Sequence, residues 1–174
     1  MSKVQVLQDP PRKAQILGPV ETLSYFDVRA LPISCNLTAM QAWNIVMSRP
    51  LPGLGLAFKI RDAVSSLFGV KKIGGFARSS GKEPVVGEKL DFFLIEGVSQ
   101  DALILTERDR HLDVMTSITT TDGFLAITSS VMTHNLFGKL YMIPVGIAHK
   151  VIVTLMLARV SIALNTPSET LPSR

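Results

Sequence analysis

A chain of 174 residues with 47% hydrophobic and 18% charged residues can bury a core of its own, which excludes a disordered polymer. The formal charge of +4 comes from Lys and Arg scattered along the sequence; the densest basic piece, residues 70–89, has no aromatic ladder, so nucleic-acid binding is not expected. The lone Cys35 excludes an intramolecular disulfide and suits a reducing cytoplasm, and the opening MSKVQVLQDPPRKAQ holds no apolar signal core.

In chain order, residues 1–20 carry Pro10, Pro11 and Pro19 without periodicity and are expected to form a tail or a loosely laid arm. A single domain is expected over 21–165, with a short tail over 166–174. Residues 24–31, SYFDVRAL, alternate Tyr25, Asp27 and Arg29 against Phe26, Val28 and Ala30 and read as a first strand. A short helix follows, opened by a capping box of Thr38 and Gln41 and carrying Trp43, Val46 and Met47. Pro50 and Pro52 end it. Leu56, Ile60, Ala63, Val64 and Leu67 then recur at helical spacing, with Gly69 as a C-cap, and predict a second short helix.

After a loop of Gly, Lys and Ser the pattern becomes a meander, DFFLIEGV at 91–98 and then 103–106. Two long strands follow, joined by Asp122-Gly123, a strong two-residue hairpin signal. Such a loop fixes the register: Thr121 faces Phe124, Asp113 faces Met132 and His111 faces His134. Alternation then puts His111, Asp113 and His134 on one face. That face is the more polar one. The other, with Leu112, Val114, Ile118, Leu125, Ile127 and Val131, is the one expected to be covered.

From about Leu136 to Leu164 the helical period returns, with Pro144 predicting a kink or a restart. The apolar stretch 142–164 is interrupted by Pro144, Gly146, His149, Lys150 and Arg159. Its longest clean run falls far short of the ~20 residues that cross a bilayer. No membrane span is expected, but a core helix enclosed on more than one side, with only a thin polar stripe through Lys150, Thr154 and Ser161. Grouped strands and helices argue an α+β class, an antiparallel sheet wrapped on a long C-terminal helix with two short helices after the first strand.

This arrangement resembles the helix-grip proteins, the START-like or birch-pollen-allergen-like (SRPBCC) superfamily. More closely, KIRDAVSSLFGVK at 59–71, VGEKLDFF at 86–93, DRHLDV at 109–114 and VMTHNLFGKLYMIPVGIAHKVIV at 131–153 are similar to a bacterial family known as domain of unknown function 2867. The resemblance implies a curved sheet around the helix with an apolar pocket between them, and no established activity. The matching positions are Asp109, His111, Leu112, Asp113, His134, Asn135, Gly138, Tyr141, Pro144 and His149. Val114 stands where an aromatic is expected, and the spacing from Pro144 to His149 is longer than usual.

Three functional readings stay open. The first is a binding domain for a small apolar or amphipathic molecule, lipid-like or polycyclic, with Trp43, Phe92, Leu94, Tyr141, Ile152, Leu155 and Met156 as cavity wall and Asn135 nearby. The second is an enzyme of cyclase, dehydratase or hydrolase type using His111, Asp113, His134, Tyr141 and His149 as an acid–base cluster. The third is an interaction module, as a homodimer, that covers the polar sheet face. No cofactor is expected. A metal held by the two histidines lacks an HxH or HExxH spacing, and the GxSxG, Walker and GxGxxG patterns are absent. Arg159 is expected to snorkel at the helix end and offset the dipole; in the alternative, a buried pair, Glu96 is its partner.

Overall fold

In the computed structural model, which describes residues 3–48, 84–90 and 93–166, Asp122 and Gly123 close the hairpin with φ of 54° and 78°. Both values lie in the left-handed region that a two-residue primed turn demands, which is why Asp-Gly is the favoured sequence there. The strands either side are β6 (Leu112–Thr121) and β7 (Phe124–Thr133), by chain-order numbering over the described residues. Their register runs from Thr121↔Phe124 to Leu112↔Thr133 without a bulge, as the turn predicts.

Around this hairpin the other strands add on antiparallel. They are β1 (Gln5–Leu7), β2 (Tyr25–Pro32), β3 (Lys89–Leu90), β4 (Phe93–Val98) and β5 (Ala102–Arg108). The seven-stranded order is β1-β2-β7-β6-β5-β4-β3. Two α-helices, α1 (Ala39–Met47) and α2 (Leu136–Asn165), and a single 3-10 turn at Val20–Thr22 complete the described chain. The class is α+β, with one antiparallel sheet and a long C-terminal helix. The second short helix expected near residues 56–67 lies outside the described residues, as does Phe92.

The capping box of α1 is formed. Gln41 N–H donates to Thr38 Oγ1 at 3.1 Å, and Thr38 N–H donates to Gln41 Oε1 at 2.9 Å. Its buried residues Ala39, Ala42, Trp43 and Val46 join Leu103, Leu105, Ile118, Leu125 and Ile127 of the sheet and Val153, Leu157 and Val160 of α2 in one core. The core therefore sits on the apolar face of the hairpin, between the sheet, α1 and the C-terminal half of α2. That helix continues through Pro144 as one element rather than restarting.

Two expectations are corrected. The N-terminal arm is not loose. Val6 pairs with Arg29, and Gln15 and Leu17 N–H groups donate to the hydroxyls of Ser117 and Ser130. The arm lies across the polar face of the hairpin, where Leu17 joins Ala102, Ile104 and Met115 in a second, smaller cluster. Ser117, Thr119 and Thr128 are accordingly fully buried on a face that its composition alone would place in water. The enclosure of α2 differs too. Leu136, Leu140, Ile143, Ile147, Val151, Leu155 and Ile162 form an outward stripe that stays open to solvent, because the sheet and α1 reach only the opposite side.

Candidate functional site

The sheet face beneath α2 carries Tyr25, Asp27 and Arg29 of β2, opposite Val131, Ser129 and Ile127 of β7. In sequence this triplet looks like a solvent face, since the apolar Phe26, Val28 and Ala30 alternate with it. Here it is roofed by α2. Arg29 holds Asp27 through Nε at 2.9 Å and Nη2 at 3.5 Å, and its Nη1 donates to Thr154 Oγ1 of α2 at 2.7 Å. Both side chains are withdrawn from water, at 6% exposure for Asp27 and 16% for Arg29.

His149 completes the cluster from above. Its Nε2 lies 2.8 Å from Ser129 Oγ, and its ring meets Tyr25 edge-on at 5.8 Å. Tyr25 Oη donates to the Gly146 carbonyl at 3.3 Å, and a Cβ added at Gly146 would stand 3.0 Å from the Tyr25 ring. Glycine is needed there because the tyrosine fills the space under the helix. Burial pushes the Tyr25 phenol well above its ordinary range, and the Asp27 charge adds to it while Arg29 opposes.

His149 is only partly buried as a residue, yet its ring points into the layer. Desolvation lowers its pKa to about 4, with Asp27 opposing and Arg29 assisting. In the unfolded chain the imidazole takes its proton near pH 6.5. Between pH 6.5 and about 4 the unfolded chain holds the extra proton, so stability falls as pH falls through that window. Urea unfolding across it is expected to show a slope that His149→Gln reduces. An unchanged slope in the variant removes His149 as the cause.

The sequence-predicted cluster separates into three groups. His111 stands beside the N-terminus of α2, where its Nδ1 lies 3.2 Å from Asn135 Oδ1 and its ring meets Phe137 at 4.6 Å; Phe137 in turn stacks on Tyr141. Arg110 Nε donates to His111 Nε2 at 2.9 Å, and His111 Nδ1 also lies 2.9 Å from Asn135 Nδ2. His134 is on its own with Asp113, Nε2 to Oδ1 3.1 Å apart and half-exposed. His149 belongs to the buried cluster instead.

The backbone register still brings His111 and His134 together, with the His134 N–H donating to the His111 carbonyl at 2.8 Å. Their side chains diverge because both residues lie just beyond the ladder. Asp109 Oδ1 accepts from the His111 and Leu112 N–H groups at 2.6 and 2.9 Å and bends the chain there, so strand alternation no longer directs the His111 ring. Asn135 is the N-cap of α2. Its Oδ1 accepts from Gly138 N at 3.0 Å, and its Nδ2 donates to the Arg110 carbonyl. Asp109, His111, Asn135 and Gly138 thus fasten the hairpin base to the helix start.

The expected cavity wall is only partly assembled. Trp43 and Met156 lie in or against the main core. Leu155 faces solvent on the outward stripe. Leu94 pairs with Thr106, on the sheet face away from α2, because Phe93 and Ile95 take the inner positions. Tyr141, Ile152 and Met156 share one flank of α2 with Arg159, whose Nη1 donates to the Val46 carbonyl at the end of α1. The expected Glu96 partner instead pairs with Arg108 at 2.6 Å and accepts from Thr106. Away from all these residues, a cleft of about 520 Å3 opens near the hairpin turn, lined by Ile33, Cys35, Leu37, Gln100, Asp101 and Thr120. Hydrogen bonds from Lys13 and then Ser99 hold its Asp101 carboxyl below the usual carboxylate range. No group of three metal-ligating side chains occurs among the described residues.

Residues 20–156 match the family model described as a protein of unknown function, DUF2867. The chain belongs to the DUF2867 family. No curated protein and no solved structure matches it. The match spans the strand that carries the Tyr25, Asp27 and Arg29 triplet, the whole meander and α2 as far as Met156. It therefore includes both the buried cluster and the fastening at the helix start of this DUF2867 chain.

Proposed function

We propose that this DUF2867 protein is a non-catalytic binding domain of helix-grip type, taking a small lipid-like or polycyclic molecule between its sheet and α2. The observation that carries the reading is where α2 lies. It crosses β2 and β7, leaving the inner faces of β4, β5 and β6 to one side of it. Part of those faces is covered by α1, which packs on Leu105; beyond it the helix flank presents Tyr141 and Ile152, and the sheet presents the half-buried Phe93, Val114 and Thr116. An apolar floor and an apolar flank with a few hydroxyls match the lining of small-molecule pockets.

Native mass spectrometry of the protein as isolated is expected to find a co-purifying apolar mass. Nile red should bind and be displaced by it. Val114→Trp, which fills the floor, should weaken dye binding roughly tenfold, one pocket contact's worth. Ile147→Glu on the outward stripe should leave the same pocket signal unchanged. A protein that carries no co-purifying mass and binds no dye sinks the proposal.

A second reading, acid–base catalysis, draws on the 2.8 Å approach of Ser129 Oγ to His149 Nε2. Ser129 is 2% exposed beneath α2, and His149 is a weak base with its pKa near 4. Binding is therefore the better-supported reading.

A further inference from the structure

Among the described residues, the outward stripe of α2 is used by neither the core nor the proposed pocket. Leu136 is 71% exposed, Ile143 64% and Ile147 67%, and the stripe continues through Val151 to Ile162. From Leu136 to Ile162 this is a band roughly 40 Å long at 1.5 Å per residue. Its seven large side chains together expose on the order of 800 Å2, what one partner contributes to a standard interface. Among the described residues nothing packs against it. Bands of this size on a soluble surface mark a docking site.

Charge decides which occupant fits. The 30-residue helix contains Lys139, Lys150 and Arg159 and no carboxylate. Helical spacing puts Lys139 and Lys150 along one edge of the stripe, while Arg159 is engaged with α1. A second copy seated face to face through this helix would bring two cationic helices together with no acid on either to meet the lysines. A bilayer with anionic headgroups takes the apolar band into its acyl boundary and the lysine edge into its headgroups. By length and apolar composition α2 suffices to cross a membrane, but Val153, Leu157 and Val160 on its other side are locked into the core. That leaves it to lie on a surface.

We infer that α2 docks the whole domain on an anionic lipid surface, with the stripe Leu136–Ile162 in contact and Lys139 and Lys150 on the headgroups. The inference does not depend on the proposed pocket.

Flotation of the full chain with vesicles tests it. Binding is expected on phosphatidylcholine vesicles containing phosphatidylglycerol, with much less on phosphatidylcholine alone and a decline with added salt. Ile143→Glu combined with Ile147→Glu should reduce binding roughly tenfold or more, with the circular dichroism spectrum unchanged. Should that pair perturb folding, Lys139→Gln with Lys150→Gln still decides, because it should weaken binding to the anionic vesicles alone. Equal binding to both compositions, or to neither, overturns the inference. So does a stable dimer in light scattering that the glutamate pair dissolves, which would assign the stripe to self-association.

Discussion

Arg29→Met is expected to lower the free energy of unfolding by about 3 kcal/mol, measured in urea at pH 7. The methionine keeps most of the volume under α2, so the loss comes from charge rather than from a cavity. It leaves the Asp27 carboxylate, 6% exposed, without the guanidinium that holds it at 2.9 Å. Removing one partner of a buried pair typically costs ~3–5 kcal/mol, because the remaining ion is stranded in a poorly solvating layer. The Thr154 hydroxyl also loses its donor from Arg29, though it keeps its own bond to the Lys150 carbonyl at 2.8 Å. If this account is right, Asp27→Asn added to Arg29→Met should recover a large part of the loss, since the stranded charge is then gone. A single variant within about 0.5 kcal/mol of the parent would mean that water reaches Asp27 freely.

That buried pair was half legible in the sequence. Tyr25, Asp27 and Arg29 stood in alternation on a predicted strand, and Lys150, Thr154 and Ser161 formed a polar stripe on an otherwise apolar helix. Each pattern alone is what a solvated face looks like. Only the position of α2 over β2 and β7 brings Thr154 of the helix row onto Arg29 of the strand row and turns the strand row inward. Pattern reasoning assigns residues to faces, but it does not say which face of which element meets which. The same limit explains Leu155, placed on the pocket side in sequence and found on the solvent side, a modest rotation of the helix away.

The hairpin was legible in full because its register is a local property. Asp122-Gly123 fixes the first pair and the pleat fixes the rest. The rule fails where the ladder ends. His111 and His134 are opposed in backbone terms, yet an Asp109 side chain turns the chain at His111, and a helix cap captures the ring. The N-terminal arm was illegible for another reason. Its prolines deny it a period, and its attachment to Ser117 and Ser130 runs through its own backbone N–H groups, which every sequence possesses. The capping box of α1, by contrast, is short-range and was readable from Thr38 and Gln41.

Gly138→Ala gives the second large effect, and its sign is opposite to what helix propensity predicts. Exchanging glycine for alanine inside a helix ordinarily stabilises by up to ~1 kcal/mol. Here a Cβ at Gly138 would run into the His111 carbonyl oxygen and stand 3.2 Å from Thr133 Cβ. The carbonyl cannot yield cheaply. It accepts the His134 N–H at 2.8 Å, and the residue that bears it is tied to Asp109 through its own N–H. Relief therefore requires α2 to lift from the hairpin base, which strains the Asn135 cap and the contacts of Phe137. Overpacking of this kind costs ~1–3 kcal/mol or more. A net loss of about 2 kcal/mol is expected, a fall in Tm of roughly 4–8 °C for a chain of this size. Gly146→Ala should cost less, since its obstacle is the Tyr25 ring, a side chain able to shift by a few tenths of an ångström. A Tm that holds or rises in Gly138→Ala would show that the helix start is not clamped to the hairpin.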